Sequence, residues 1–158
     1  MTVMARRSFA AAYAMRFVAC GAAFVACGAA HASPAQDYML NCMGCHGTEA
    51  QGVPGKVPPL ANSLTRFMRT PEGRNYVLRV PGAANSTLSD TDLAAVLNWL
   101  AMTYDASAAT SAEAKPLAPF TSEEVTRSRH TPLVSVLATR TAVIKSLSAS
   151  GPAPPSQY

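Results

Sequence analysis

Cysteine is scarce in this chain, four in 158 residues, and histidine scarcer still, at three. Cys20 and Cys27 fall in an N-terminal stretch that reads as a presequence, so Cys42 and Cys45 are the only pair left. An oxidising compartment would allow a disulfide between them. Zinc would need four protein ligands, or three with water. Cys42, Cys45, His46 and the distant His130, with no second cysteine pair, are a poor set. A thioredoxin-like C-x-x-C would follow a strand in a βαβ pattern, and no such strand precedes Cys42. Long hydrophobic runs are also missing. Phe17 to Ala30 is apolar and free of acids, yet shorter than the ~20 residues that span a bilayer, so stable membrane insertion is not expected.

That short run has its own meaning. Arg6 and Arg7 precede it as a positive region, and Ala30-His31-Ala32 follows with the small residues a signal peptidase reads. Residues 1–32 are therefore expected to be a secretory signal peptide. Two variants stay open, a lipid anchor on Cys27 and twin-arginine export through Arg6-Arg7-Ser8-Phe9. Ordinary unfolded export is preferred, with the arginine pair read as the positive charge of the presequence. Losing Arg6, Arg7 and Arg16 leaves ten basic against nine acidic residues, so the net charge falls from +4 to +1. Nucleic-acid binding loses its electrostatic support.

What remains is a motif. Cys42-Met43-Gly44-Cys45-His46 is a C-x-x-C-H sequence, the pattern of covalent haem attachment. At the end of a helix the two thiols face one side at the spacing of the haem vinyl groups. The neighbouring imidazole is left to meet the iron, for which it is a good ligand in either oxidation state. Cys42 and Cys45 are expected to hold one haem c covalently, with His46 as an iron ligand.

Residues 35–104 resemble a class I c-type cytochrome of the monohaem, exported bacterial kind. The motif stands near the mature N-terminus, and Pro58-Pro59-Leu60 matches the family's Pro-Leu element. The resemblance implies an all-α domain around one haem. It also implies that a carbonyl of Pro58 or Pro59 accepts the proximal histidine's Nδ1–H. Leu60 would pack on the proximal haem face. Trp99 is the expected equivalent of the aromatic residue where the last helix crosses the first, and with Pro59 and Leu60 it is expected among the cofactor-binding residues.

The organisation follows from local signals. Ser33, Pro34 and Gln36 read as N-cap, first helical residue and capping-box partner. Residues 48–60 hold Gly52, Pro54, Gly55, Pro58 and Pro59 and read as an irregular loop. A short helix is expected after Thr70, ending at Val80-Pro81-Gly82. Ser89 and Asp92 then open a helix whose Leu93, Val96, Leu97, Leu100 and Tyr104 share a face. Residues 105–120 read as a linker, 121–150 as a helical C-terminal extension and 151–158 as a disordered tail. The apolar stripe of the extension is interrupted at Arg140.

The second axial ligand is the departure from the family pattern. Relatives take a methionine from the loop between the last two helices, but Pro81 to Leu88 holds no Met, His or Lys. Met68 is the leading candidate. Met102, His130 or an open position are the alternatives. A Met/His pair suits electron transfer, and no distal acid–base pair suggests an enzyme. The resemblance implies a periplasmic single-electron carrier between a dehydrogenase, quinoprotein or other, and an oxidase or cytochrome acceptor. The alternatives are a five-coordinate protein that binds a gas and a haem subunit of a larger redox complex. Lys56, Arg66, Arg69, Arg74 and Arg79, set against Glu72 alone, would be docking charge, solvated charge or haem-propionate partners.

Overall fold

The computed structural model describes residues 32–104 and 117–148. The expected signal peptide, most of the linker and the C-terminal tail lie outside the described residues. Eight helices account for the regular structure among the described residues, and the nearest thing to a strand there is an isolated bridge between Val53 and Val57.

Helix α1 (Pro34–Asn41) starts with the capping box its sequence announces. The Gln36 amide donates to Ser33 Oγ at 3.3 Å, and the Ser33 amide donates to Gln36 Oε1 at 2.8 Å. A break at Cys42 leads into the single turn α2 (Met43–His46). The loop after it is irregular, as its glycines and prolines require. At Gly52 φ is +70° and an added Cβ would meet the Val57 carbonyl oxygen at 2.4 Å, so only glycine lets the chain close there.

Three short helices follow: α3 (Leu64–Met68), α4 (Pro71–Arg79) and α5 (Pro81–Ala84). Neither α3 nor α5 was expected. α3 has no side-chain cap, and α5 is one turn started by Pro81. Helix α6 (Asp90–Tyr104) is opened by the Asp92 amide donating to Ser89 Oγ at 3.1 Å. It packs along α1, where Tyr38, Trp99 and Tyr104 form an aromatic cluster with ring centroids 5.6 to 6.4 Å apart.

The C-terminal extension is not a separate module. Helices α7 (Ser122–Ser128) and α8 (Val136–Ser148) pack on α4, and α7 also on α6. Phe120, Val125, Val143, Ile144 and Leu147 join the same buried core as Leu64, Phe67 and Leu93. The linker assignment needs correcting at its end. Asn98 takes the Phe120 amide at 2.8 Å and donates to the Phe120 carbonyl at 3.0 Å, and the Phe120 ring is buried. Two saturated backbone groups and a buried ring make residue 120 part of the fold.

Candidate cofactor site

Helix α1 delivers the motif. Its last turn ends at Asn41, and the amides of Cys45 and His46 both donate to the Cys42 carbonyl, at 3.2 and 3.0 Å. That tight turn brings Cys42, Cys45 and His46 onto one wall of a cavity of about 300 Å³. Cys42 is half-buried and Cys45 exposed, so the pair marks the cavity rim. Burial, with Asp37 and then Cys45 adding repulsion, pushes the Cys42 thiol above its ordinary value.

His46 is held from behind. Its Nδ1 lies 3.1 Å from the Pro58 carbonyl oxygen. A carbonyl can only accept, so Nδ1 carries the hydrogen and Nε2 keeps its lone pair. Burial draws the imidazole pKa below its ordinary value, partly opposed by the Pro58 bond. A neutral ring with a free Nε2 is what iron ligation needs. The loop is fixed around this bond, for the Ala50 carbonyl accepts from Leu60 at 2.9 Å and Ala61 at 3.0 Å, and the His46 carbonyl from Gly52 at 2.8 Å. Tyr38 Oη donates to the Gly47 carbonyl at 2.5 Å, and burial pushes that phenol up to about 12.

The remaining walls suit a large, mainly apolar guest with polar ends. Leu93, Val96, Leu97 and Leu100 of α6 face Phe67 of α3 and Val77 of α4 across the lining. Ser63 also lines the cavity; it is buried, and its Oγ has no hydrogen-bond partner among the described residues. Lys56 lines the cavity from an exposed position. Haem fits this donor set: the apolar walls would take its porphyrin, and Ser63 and Lys56 are polar groups that could meet its carboxylates. Zinc does not, since no group of three or more His, Cys, Asp or Glu that could hold a metal occurs among the described residues.

The sequence-derived candidates divide on inspection. Pro58, Pro59 and Leu60 all line the cavity, and Pro58 is the histidine's partner. Trp99 does not line it; its ring packs on Tyr38 and Tyr104 instead. Met68, the leading candidate from sequence for the second axial ligand, lies in α3. It is buried, but it is absent from the lining. Ser63, Leu64 and Phe67 present the cavity face of α3, and at about 100° per residue Met68 falls past the edge of that arc. Met102 is 86% exposed and His130 is exposed, and neither lines the cavity.

The basic residues between 50 and 80 also change meaning. Arg74 pairs with Glu124, donates to the carbonyls of Ala118 and Pro119, and stacks on Phe120. Arg79 donates to the carbonyls of Thr131 and Pro132. Both serve to fasten the C-terminal extension. One cavity residue lay beyond sequence reasoning. Arg140, the interruption in the α8 stripe, is 3% exposed and lines the cavity. The only signal was a charge at a core register position.

Comparison with known proteins agrees with this geometry. The Cytochrome c family model matches residues 35–103. Cytochrome c-552 of Thermus thermophilus is 34% identical over 107 residues, covering 56% of this chain and 78% of that protein. Cytochrome c-552 from a particular strain of the same organism is likewise 34% identical over 107 residues, with 56% of this chain and 69% of that protein covered. No helix among the described residues is long and apolar enough to cross a membrane. Taken with the all-α fold, these likenesses show that the chain belongs to the cytochrome c family, electron-transfer proteins with covalently bound haem c rather than enzymes.

Proposed function

We propose that this cytochrome works outside the cytoplasm, in the periplasm, as a single-electron carrier from a dehydrogenase to an oxidase or a second cytochrome. A quinoprotein is one candidate donor. Cys42 and Cys45 are the thioether anchors and His46 an iron ligand. Haem c supplies the one-electron Fe(III)/Fe(II) couple. The chain's own residues do the rest. Pro58 orients the imidazole and keeps its Nε2 free, the α3, α4 and α6 side chains exclude water, and the exposed rim at Cys45 leaves a short path to a partner.

The observation that carries this reading is the His46 Nδ1–Pro58 carbonyl contact of 3.1 Å on the same wall as the two thiols. Its test is the purified mature protein. A porphyrin mass is expected on the peptide that spans Cys42 and Cys45, with reversible one-electron reduction in the absorption spectrum. Rapid reduction by a quinoprotein dehydrogenase is expected in stopped flow. With Arg74 and Arg79 engaged internally, that rate should depend only weakly on salt. Colourless protein would overturn the assignment of the site, and a coloured protein that no quinoprotein reduces would overturn the donor alone.

A further inference from the structure

Helix α8 lies beyond residues 35–103, the part matched by the cytochrome c family model, yet its start reaches the cofactor cavity. Val136, Arg140, Val143, Ile144 and Leu147 recur at helical spacing and mark its inward face. The last three are buried in the core, where α8 packs on α4. The first two line the cavity. The Arg140 guanidinium lies 5.3 Å from the centre of the Phe67 ring, itself a lining group, so the wall is continuous from α8 to α3.

The helix is fastened at two places, and both belong to the cavity. Arg79, at the end of α4, donates to the carbonyls of Thr131 and Pro132 at 2.7 and 2.8 Å, just ahead of α8. Tyr76 and Val77 of the same α4 line the cavity. Arg129 donates to the Ser86 carbonyl at 2.6 Å and pairs with Asp90 at 2.8 Å, and Ser86 is again a lining residue. Stability alone asks only for the buried stripe of Val143, Ile144 and Leu147. The start of α8 goes further, placing half-buried Val136 where solvent would otherwise stand.

Resting on the haem assignment above, we propose that residues 117–148 are a fastened cover of the cofactor, whose α8 uses Val136 to keep water from the haem and hold its midpoint potential up. The ferric state carries one more positive charge than the ferrous. Water against the porphyrin therefore favours ferric iron, and apolar atoms in its place favour ferrous. The role requires no particular orientation of the ring in the cavity, because water admitted on any side raises the local dielectric. Val136 is a positioning residue in this scheme, acting through the solvent it displaces.

The test is a redox titration of the full mature protein with its haem attached. Val136→Thr keeps the shape of the side chain and adds a hydroxyl that draws water to the lining. At a fixed applied potential its ratio of ferric to ferrous protein should rise at least about threefold over the wild type. Ile144→Ala changes no charge and lies outside the lining, but it unseats α8 from the core. It should lower the midpoint potential and the melting temperature together. Ser33→Ala removes the cap at the start of α1 and should lower the melting temperature alone. An unmoved potential in Val136→Thr would overturn the proposal. So would a fall in Ser33→Ala equal to that in Ile144→Ala, because loosening anywhere would then suffice. Should Ile144→Ala fail to hold haem, the Val136→Thr titration decides alone. All of these outcomes leave covalent haem in the wild type, whereas colourless wild-type protein would refute the haem assignment first.

Discussion

At the scale of single residues, the close approach of α3 and α4 depends on Gly73. An added Cβ there would stand 2.1 Å from the Phe67 carbonyl oxygen and 2.8 Å from its carbon. Those are backbone atoms and cannot swing aside as a side chain can. Gly73 also donates its amide to Thr70 Oγ1 at 3.1 Å, so the first turn of α4 is fixed against the end of α3. Gly73→Ala is expected to cost about 2–3 kcal/mol through forced backbone shift, although alanine is the better helix former. A thermal melt of the holoprotein should fall by several degrees, and an unchanged or raised midpoint would refute the clash. Phe67 shares that strain, because the same residue stacks on Tyr76 with ring centroids 5.4 Å apart and faces the cavity. A change in the visible spectrum of Gly73→Ala should therefore accompany the loss of stability.

At the scale of elements, the fastening of the C-terminal extension makes a prediction about acid. Asp90 has its carboxyl pKa lowered, first by the hydrogen bond from Thr126 and then by Arg129. A carboxylate whose folded pKa lies below its unfolded one stabilises the fold above the unfolded value. That contribution is lost as pH falls through the folded value, so α7 should loosen on the acid side of the ordinary carboxylate range. Arg129→Leu removes the donor to two carbonyls and the partner of Asp90. It should cost about 2–4 kcal/mol and flatten the acid limb of stability against pH. A variant with an acid limb as steep as the wild type would show that Asp90 draws its stabilisation from Thr126 alone. These fastenings also explain what was readable in the sequence. α1 and α6 announced themselves because their caps are local: Ser33 with Gln36, and Ser89 with Asp92. The proline and glycine content of 48–60 likewise foretold a loop. α3 gave no such sign, for Ser63 makes no capping bond and the helix exists because Leu64 and Phe67 are drawn into the core. The partnership of Arg74 with Glu124 spans fifty residues, and no window along the chain could reveal it. Distance along the chain likewise hid Arg140 in plain view as a break in a stripe.

At the scale of the whole molecule, folding and cofactor binding should be a single event. The walls of the cavity come from the end of α1, α2, the Pro58 loop, α3, α4, α5, α6 and α8, so the haem site is the centre of the core and not a cleft beside it. Left without its guest, a void of about 300 Å³ would cost on the order of 7 kcal/mol, at roughly 24 cal/mol per Å³ of cavity. Domains of this size are stable by only about 5–15 kcal/mol, and the buried Ser63 hydroxyl, which has no hydrogen-bond partner among the described residues, makes an empty cavity costlier still. The void would therefore collapse or flood, and α6 would lose the surface against which Leu93, Val96 and Leu97 are ordered. Replacing both cysteines, Cys42→Ser with Cys45→Ser, prevents covalent attachment while changing little else at the rim. That variant is expected to keep part of its far-ultraviolet helical signal, because the capped helices are locally encoded. Its near-ultraviolet circular dichroism should be flat, because the cluster of Tyr38, Trp99 and Tyr104 is fixed only when α1 and α6 are held together around the guest. A native-like near-ultraviolet spectrum from the haem-free variant would mean that the helices and the extension suffice to order the core. The cavity would then be a preformed receptor, and the stability of the protein would owe little to its cofactor.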